Sequence, residues 1–330
     1  MQLPHFKIVS ILTLFVSHSV LAEQIVLIPD TQAYTRAKEN QPLLLQQTQW
    51  IVENSQTENI AFISHVGDVI TGAQRDDSLA IDEQWQFAHQ NYQQFDGSVP
   101  FSVVYGNHDF DVFGDSSAGA LNAQQYFGAA RYEPFEWFGG ASEDGENFYQ
   151  YFEIGGQELL HVGIKFDPDQ ATLDWAANVI NDKNLPTVLT THAYLTDAGF
   201  SRRLGGEVEG GREPIGEFIW ENLVRTTDQI FMVLGGHNHS GESPEVSGEY
   251  TEDGEYHQVS INDAGRDVYE ILANYQDYPN GGDGWFQLID IDPDVSKISI
   301  RTWSPYLNRY QEDAMSRYQW SANLRARWEM

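Results

Sequence analysis

The chain of 330 residues contains no cysteine. No disulfide can staple it and no thiolate can bind a metal, so stability must come from the core, from bound metal, or from both. Basic residues are also scarce. Only 18 Lys and Arg stand against 49 Asp and Glu, a formal charge of −31. Nucleic-acid affinity rests largely on Lys and Arg at phosphates, so a long polyanionic partner is disfavoured. Such a balance favours solubility and self-repulsion. Beyond the first residues there is no apolar run long enough to cross a bilayer. No repeat, low-complexity tract or Pro/Ser-rich linker divides the chain.

The one sustained apolar run near the start, Ile8–Val16, follows Lys7 and precedes Val20-Leu21-Ala22. This is the layout of a signal peptide over residues 1–22, with a cut after Ala22. The run is too short and too broken by Ser and His to anchor stably in a membrane. Its removal takes away Lys7 and no acid, which leaves the exported form one charge more negative. Residues 23–330 are expected to form a single domain, periplasmic or secreted, with a β-rich part over about 245–305.

Short apolar segments alternate with helical patterns through the first two thirds. Residues 24–29, 59–68, 99–107, 186–194 and 230–239 read as strands. Residues 41–56, 81–95, 170–183 and 213–227 read as helices, and 147–168 as a hairpin around Gly155-Gly156. Strands dominate the end, in "YHQVSIND", "DVYEILANYQ", "GWFQLIDIDP" and "KISIRTWSP". The pattern predicts a layered α/β fold of two mixed sheets between helices.

Five of the expected strands end in residues that can do chemistry. Asp30 and Gln32 follow the first, Asp68 the second, and Asn107, His108 and Asp109 the third. His192 follows the fourth, and His237 and His239 the fifth. Ligands in α/β sheets bind outside the carboxyl ends of strands. Each block alone is ordinary turn chemistry. Five in succession are not. Residues i and i+2 of an extended segment point the same way, so His237 and His239 are expected to aim at a common region.

The order D-x-[HQ], GD, GNH[DE], H, GHxH resembles the calcineurin-like metallophosphoesterase superfamily. The motifs span residues 30–239. "LANYQDYPNGGDGWFQL" and "RTWSP" are similar to segments of its secreted bacterial members. The resemblance implies a metallophosphoesterase-type β-sandwich flanked by helices, with two metal ions at the sheet edge. It also implies the ligands. Asp30, Gln32, Asp68 and His239 would take one ion, and Asp68, Asn107, His192 and His237 the other, with Asp68 bridging. His108 would face substrate, and Asp109 would orient His108 or act as a turn residue.

Two divalent ions bring four positive charges; Asp30 and Asp68 remove two and a bridging hydroxide one. The site is then left at about +1, able to attract a phosphate that the acidic envelope repels. Two ions roughly 3.5–4 Å apart can orient and activate a water for in-line displacement. A protonated His108 could protonate the leaving oxygen.

Three departures narrow the branch. Gln32 replaces the commoner His of D-x-H, and a harder amide ligand tilts that site toward Mn, Fe or Mg over Zn. Thr71 stands where purple acid phosphatases carry a tyrosine. "GDVITGA" lacks the paired Asp and the phosphate-binding Arg of the calcineurin-type protein phosphatases. Arg202, Arg203 and Arg212, in a Gly-rich loop, are candidates to bind phosphate or to pair with Glu207, Glu209 and Glu213.

His65 reads as a core histidine or as a partner of Asp68. His89, His161 and His257 have no evident partner. The leading expectation is a dimetal hydrolase of small phosphomonoesters or phosphodiesters. A nuclease or cyclic-nucleotide phosphodiesterase, and a non-catalytic metal-dependent binding module, stay open.

Overall fold

The computed structural model describes residues 22–72, 78–196, 210–239 and 254–328. The expected leader and the loop carrying Arg202 and Arg203 lie outside the described residues, Ala22 apart.

The chain begins with β1 (Glu23–Ile28), α1 (Gln32–Arg36), α2 (Gln41–Asn54), β2 (Ile60–His65), α3 (Ile81–Tyr92) and β3 (Phe101–Val103). Short helices α4 (Leu121–Phe127) and α5 (Ala129–Tyr132) lead to β4 (Phe138–Ala141), β5 (Phe148–Ile154) and β6 (Gln157–Gly163). Then come α6 (Gln170–Lys183), β7 (Thr187–Thr190), β8 (Leu195–Thr196), β9 (Gly211–Arg212), α7 (Pro214–Ile219) and β10 (Ile230–Gly235). The last part holds β11 (Glu255–Ile261), β12 (Asp267–Ala273), β13 (Phe286–Asp292), β14 (Lys297–Ser304), β15 (Arg309–Tyr310), β16 (Arg317–Ser321) and α8 (Leu324–Trp328).

Two seven-stranded sheets result. The first runs β15-β14-β13-β1-β2-β3, with β16 also on β14; the second runs β11-β12-β10-β7-β6-β5-β4. Both are mixed, as expected. β1, β2 and β3 are parallel, while β13 joins β1 antiparallel. In the second sheet β6, β7, β10 and β12 are parallel, flanked by antiparallel β5 and β11.

Alternation along each strand sorts side chains into three cores. Ile25, Leu27 and Phe62 pack with Val188, Met232, Leu234 and Ile271 between the sheets. Val26, Ile28 and Ile63 face α2 and α3. Leu189 and Val233 face α6 and α7. The layers are therefore helix, sheet, sheet, helix.

The helix expected over 213–227 is α-helical only to Ile219. It continues as a π-turn over Trp220–Val224, where Arg225 N donates to Trp220 O at 2.9 Å. The β-rich part runs past the expected limit near 305, to Ser321, and its strands divide between the sheets. Among the described residues no helix is long and apolar enough to cross a membrane.

Parallel pairing sets the site. β1, β2 and β3 end side by side, with Ile28 opposite His65 and His65 opposite Val103. β7, β10 and β12 end likewise in the second sheet, with Leu234 opposite Thr190 and Gly235 opposite Leu272. The loops leaving these six ends meet at one edge of the sandwich.

Candidate metal centre

At that edge His192, fully buried, donates from Nδ1 to the Val66 carbonyl at 2.8 Å. This fixes the tautomer and turns Nε2 inward. Nε2 lies 3.2 Å from Asp68 Oδ1, 3.0 Å from Asn107 Oδ1 and 3.1 Å from His237 Nδ1. His237 Nδ1 is in turn 2.9 Å from Asn107 Oδ1. Four potential ligand atoms from four loops thus each stand about 3 Å from at least one other, the spacing of neighbouring ligands on a cation with bonds of about 2.0–2.2 Å. Asp68, His192 and His237 form a group able to hold a metal. With Asn107, this is the set that the family resemblance implies for the second ion.

The other set is assembled more loosely. Asp30 Oδ1 accepts the His237 backbone N–H at 3.2 Å, and its Oδ2 accepts from Asn274 Nδ2 at 3.0 Å. Gln32 Nε2 donates to Asp68 Oδ2 at 3.1 Å and to Gln276 Oε1. Both amide protons are used, and Gln32 Oε1 is left buried with no partner. A buried orphan carbonyl is costly unless something positive meets it. His239 places Nδ1 2.5 Å from Asp277 Oδ2, the carboxylate–histidine arrangement typical of metal-binding imidazoles.

The backbone makes room for this crowding. A Cβ on Gly106 would lie 2.2 Å from Asp68 Oδ1, and one on Gly236 would lie 2.3 Å from Asp30 Oδ1. Gly235 is under no such constraint, its nearest contact being 3.4 Å. Asp68 and His237 adopt left-handed φ of 54° and 67°. His237 therefore leaves the strand geometry, so the i, i+2 argument does not apply, although both histidines line one cleft as expected. β10 stops at Gly235, and the two rings diverge, one to His192 and Asn107, the other to Asp277.

The charges ask for a cation. Burial pushes Asp30 up to about 7 against the pull of His192, with Asp68 adding to the rise. Burial opposes charge on Asp68 too, yet His192 and His108 hold it well below the carboxylate range. His192 is held at about 10 by Asp68 and Asp30 in spite of its burial. Burial and the His192 charge bring His237 down to about 3. A proton on His192 thus supplies the positive charge that two buried carboxylates need, a role a metal ion would fill. Ligand chemistry, orphan carbonyl and glycine clearances all fit the expected ions.

His108 stands beside this cluster. Its backbone N–H donates to Asp68 Oδ1 at 3.0 Å, and Nδ1 donates to the Thr71 carbonyl at 2.5 Å. Nε2 is 3.8 Å from Asp68 Oδ2, and the half-exposed Phe113 ring meets the imidazole edge-on at 4.6 Å. With Asp68, Asn107, His237, Asn238, His239 and Gln276 it lines a cleft of about 220 Å³.

Asp109 does not orient His108. Its Oδ1 accepts from the Val69 and Ile70 N–H groups and its Oδ2 from Gly106 N, so it ties the Asp68 loop to the Asn107 loop. The Thr71 carbonyl does the orienting. Arg212 does not face substrate either. Its guanidinium pairs with Glu270 at 2.7 Å, bonds Ser260 and stacks 3.8 Å over Trp220.

His65 proves to be a satisfied buried residue. Nε2 meets Thr31 Oγ1 at 3.0 Å and Nδ1 accepts Gly67 N–H at 3.0 Å, so one neutral ring links the Asp30 and Asp68 loops. Burial brings it down to about 3. His161 bonds Gln150 and Thr190 in the core, His89 bonds Arg131, and His257 stacks on Tyr318.

Sequence reasoning missed several contributors. Asn238 Nδ2 bonds Leu195 O and Glu213 Oε1, which braces the turn between His237 and His239. Burial pushes Glu213 up to about 7. Asn274, Gln276 and Asp277 leave β12, a sixth strand end that the motif reading did not count.

The chain is similar to known proteins. Residues 24–314 match the profile of the family described as calcineurin-like phosphoesterase. The uncharacterized protein YvnB of Bacillus subtilis (strain 168) is 30% identical over 290 residues, 86% of this chain and 20% of that protein. The chain thus spans about a fifth of the length of this curated relative. A solved structure titled GAP50, the anchor in the inner membrane complex of Plasmodium, shares the fold. Its TM-score is 0.52 at 11% identity, over 92% of this chain and 89% of that one. The chain belongs to the calcineurin-like phosphoesterase family.

Proposed function

We propose that the chain is a two-metal hydrolase of small phosphomonoesters or phosphodiesters that works outside the cytoplasm. The observation that carries this reading is the cluster of Asp68, Asn107, His192 and His237 with His108 at its open side. Asp68, Asn107, His192 and His237 would hold one ion, and Asp30, Gln32, Asp68 and His239 the other. When bound, such ions activate water and neutralise phosphate charge for in-line displacement. The chain's own residues supply the rest. Asp109 and His65 fix the ligand loops, Thr71 fixes the His108 ring, and His108 delivers a proton to the departing oxygen. The envelope of −31 favours small substrates over long nucleic acid.

The test is chelation and refilling. Purified protein should lose turnover of a chromogenic phosphate ester on chelation and regain it with Mn²⁺, Fe²⁺, Zn²⁺ or Mg²⁺. Rates on a monoester, a bis-ester and single-stranded DNA should rank the DNA last; the reverse order points to a nuclease. Two bound ions with no ester cleaved would make the chain a binding module, and no metal uptake at all sinks the reading. Export is checked on protein recovered from the cell exterior or periplasm, whose first residue should be Glu23.

A further inference from the structure

We propose that the segment Asn274–Asp277 is a clamp for one of the two ion sites only, the one built from Asp30, Gln32 and His239. The proposal rests on the two-metal reading above and goes beyond it in making the sites unequal. β12 lies parallel to β10, with Leu272 opposite Gly235, so its carboxyl end opens on the same edge as the "GHNH" turn. Three side chains leave that end within four residues, and each meets a different ligand of the same site. Asn274 Nδ2 donates to Asp30 Oδ2 at 3.0 Å, the Gln276 amide accepts from Gln32, and the Asp277 carboxylate meets His239 Nδ1 at 2.5 Å. Asn274 also bonds the His237 carbonyl at 3.1 Å, and its Oδ1 accepts the Gln276 N–H at 3.0 Å, which closes the segment on itself.

Apart from the Asn274 bond to the His237 carbonyl, the ligands of the other site are held from elsewhere. His192 is fixed by the Val66 carbonyl, and the Asp68 and Asn107 loops are joined by Asp109. Among the described contacts, Gln276 and Asp277 touch no side chain of the His192–His237–Asn107 set. The asymmetry has a chemical use. Gln32 is a weaker ligand than the equally neutral imidazole it replaces. A carboxylate on Nδ1 fixes the His239 tautomer and makes Nε2 more basic, and Asp277 adds negative charge that Gln32 cannot. With Gln276 and Asp68 taking the Gln32 amide protons, its orphan carbonyl is oriented before any ion arrives.

The experiment titrates metal-stripped full-length protein with Mn²⁺, counts bound ions by elemental analysis and records electron paramagnetic resonance spectra. The unaltered chain should take up two ions per chain and give an exchange-coupled pair signal. Asp277→Ala and Gln276→Ala should each keep one ion at its original affinity and bind the second about 10–100-fold more weakly. The coupled signal should give way to that of isolated Mn²⁺. Asp277→Asn, which retains an acceptor for His239 Nδ1, should recover most of the second affinity. Should Asp277→Ala melt early, the milder Asp277→Asn and Gln276→Ala decide. Variants that bind both ions as before, or that weaken both equally while melting normally, overturn the clamp and leave the two-metal reading standing. Uptake of fewer than two ions by the unaltered chain overturns both.

Discussion

Replacing Asp68 by asparagine is expected to lower kcat/KM on a phosphate ester by about 10³-fold or more and to leave at most one ion per chain. Both carboxylate oxygens face candidate ligand residues, Oδ1 at 3.2 Å from His192 Nε2 and Oδ2 accepting from the Gln32 amide at 3.1 Å. An amide offers one oxygen where two are needed, turns N–H protons toward the cation, and removes the charge that sustains His192. A loss of 10³ corresponds to about 4 kcal/mol of transition-state stabilisation, similar to the loss of one preorganised electrostatic group. Asparagine tolerates the left-handed φ of 54° at this position, so the metal-free protein should melt much as before. Kinetics with metal counting provide the check. A variant that holds two ions and keeps a tenth of the activity would show that Asp68 bridges nothing.

The second large effect is expected at His108. Its replacement by alanine should lower kcat by about 10²–10⁴-fold, the usual range for a general acid, with metal content unchanged. The ring stands outside the ligand cluster, 17% exposed, with Nε2 3.8 Å from Asp68 Oδ2. Because the Thr71 carbonyl can only accept, Nδ1 carries a proton and Nε2 is the nitrogen able to exchange one with substrate. A group that protonates the departing oxygen matters most when that oxygen is a poor leaving group. The loss should therefore be largest on alkyl phosphates and smallest on nitrophenyl phosphate. An equal loss across both esters would assign His108 to phosphate binding alone.

The sequence made the layered fold legible because both sheets are built around parallel strands buried on two faces. Such strands read as short apolar runs such as "QIVLIP" and "IFMVL", separated by helical periods. It made the candidate ligands legible because such residues follow strand ends and their order resembles a known family. Several short elements carried too little pattern to be seen. α4 and α5 are short, and β8 and β9 are two residues each, below any measurable period. The break of α7 into a π-turn was equally invisible, since an extra residue in a turn leaves composition unchanged.

The roles of neighbouring residues were less accessible. Asp109 looks from the sequence like a partner for the adjacent His108, yet an i, i+1 pair rarely faces inward together. Its carboxylate instead collects three backbone N–H groups from two loops. Arg212 looks like a phosphate ligand because it sits in a Gly-rich stretch, but the buried Glu270, 58 residues away, claims its charge. His237 and His239 look parallel only if the strand continues, and a left-handed residue ends that argument.

By itself, then, the sequence determined the residue types that can bind metal, their order along the chain and the strands that carry them. These follow from local chemistry and local periodicity. Only the tertiary structure decided which side chains hold them. Pairing β12 beside β10 brings Asn274, Gln276 and Asp277 to ligands as far as 244 positions away. A contact of that span leaves no mark on local pattern, because it is created by the stacking of strands.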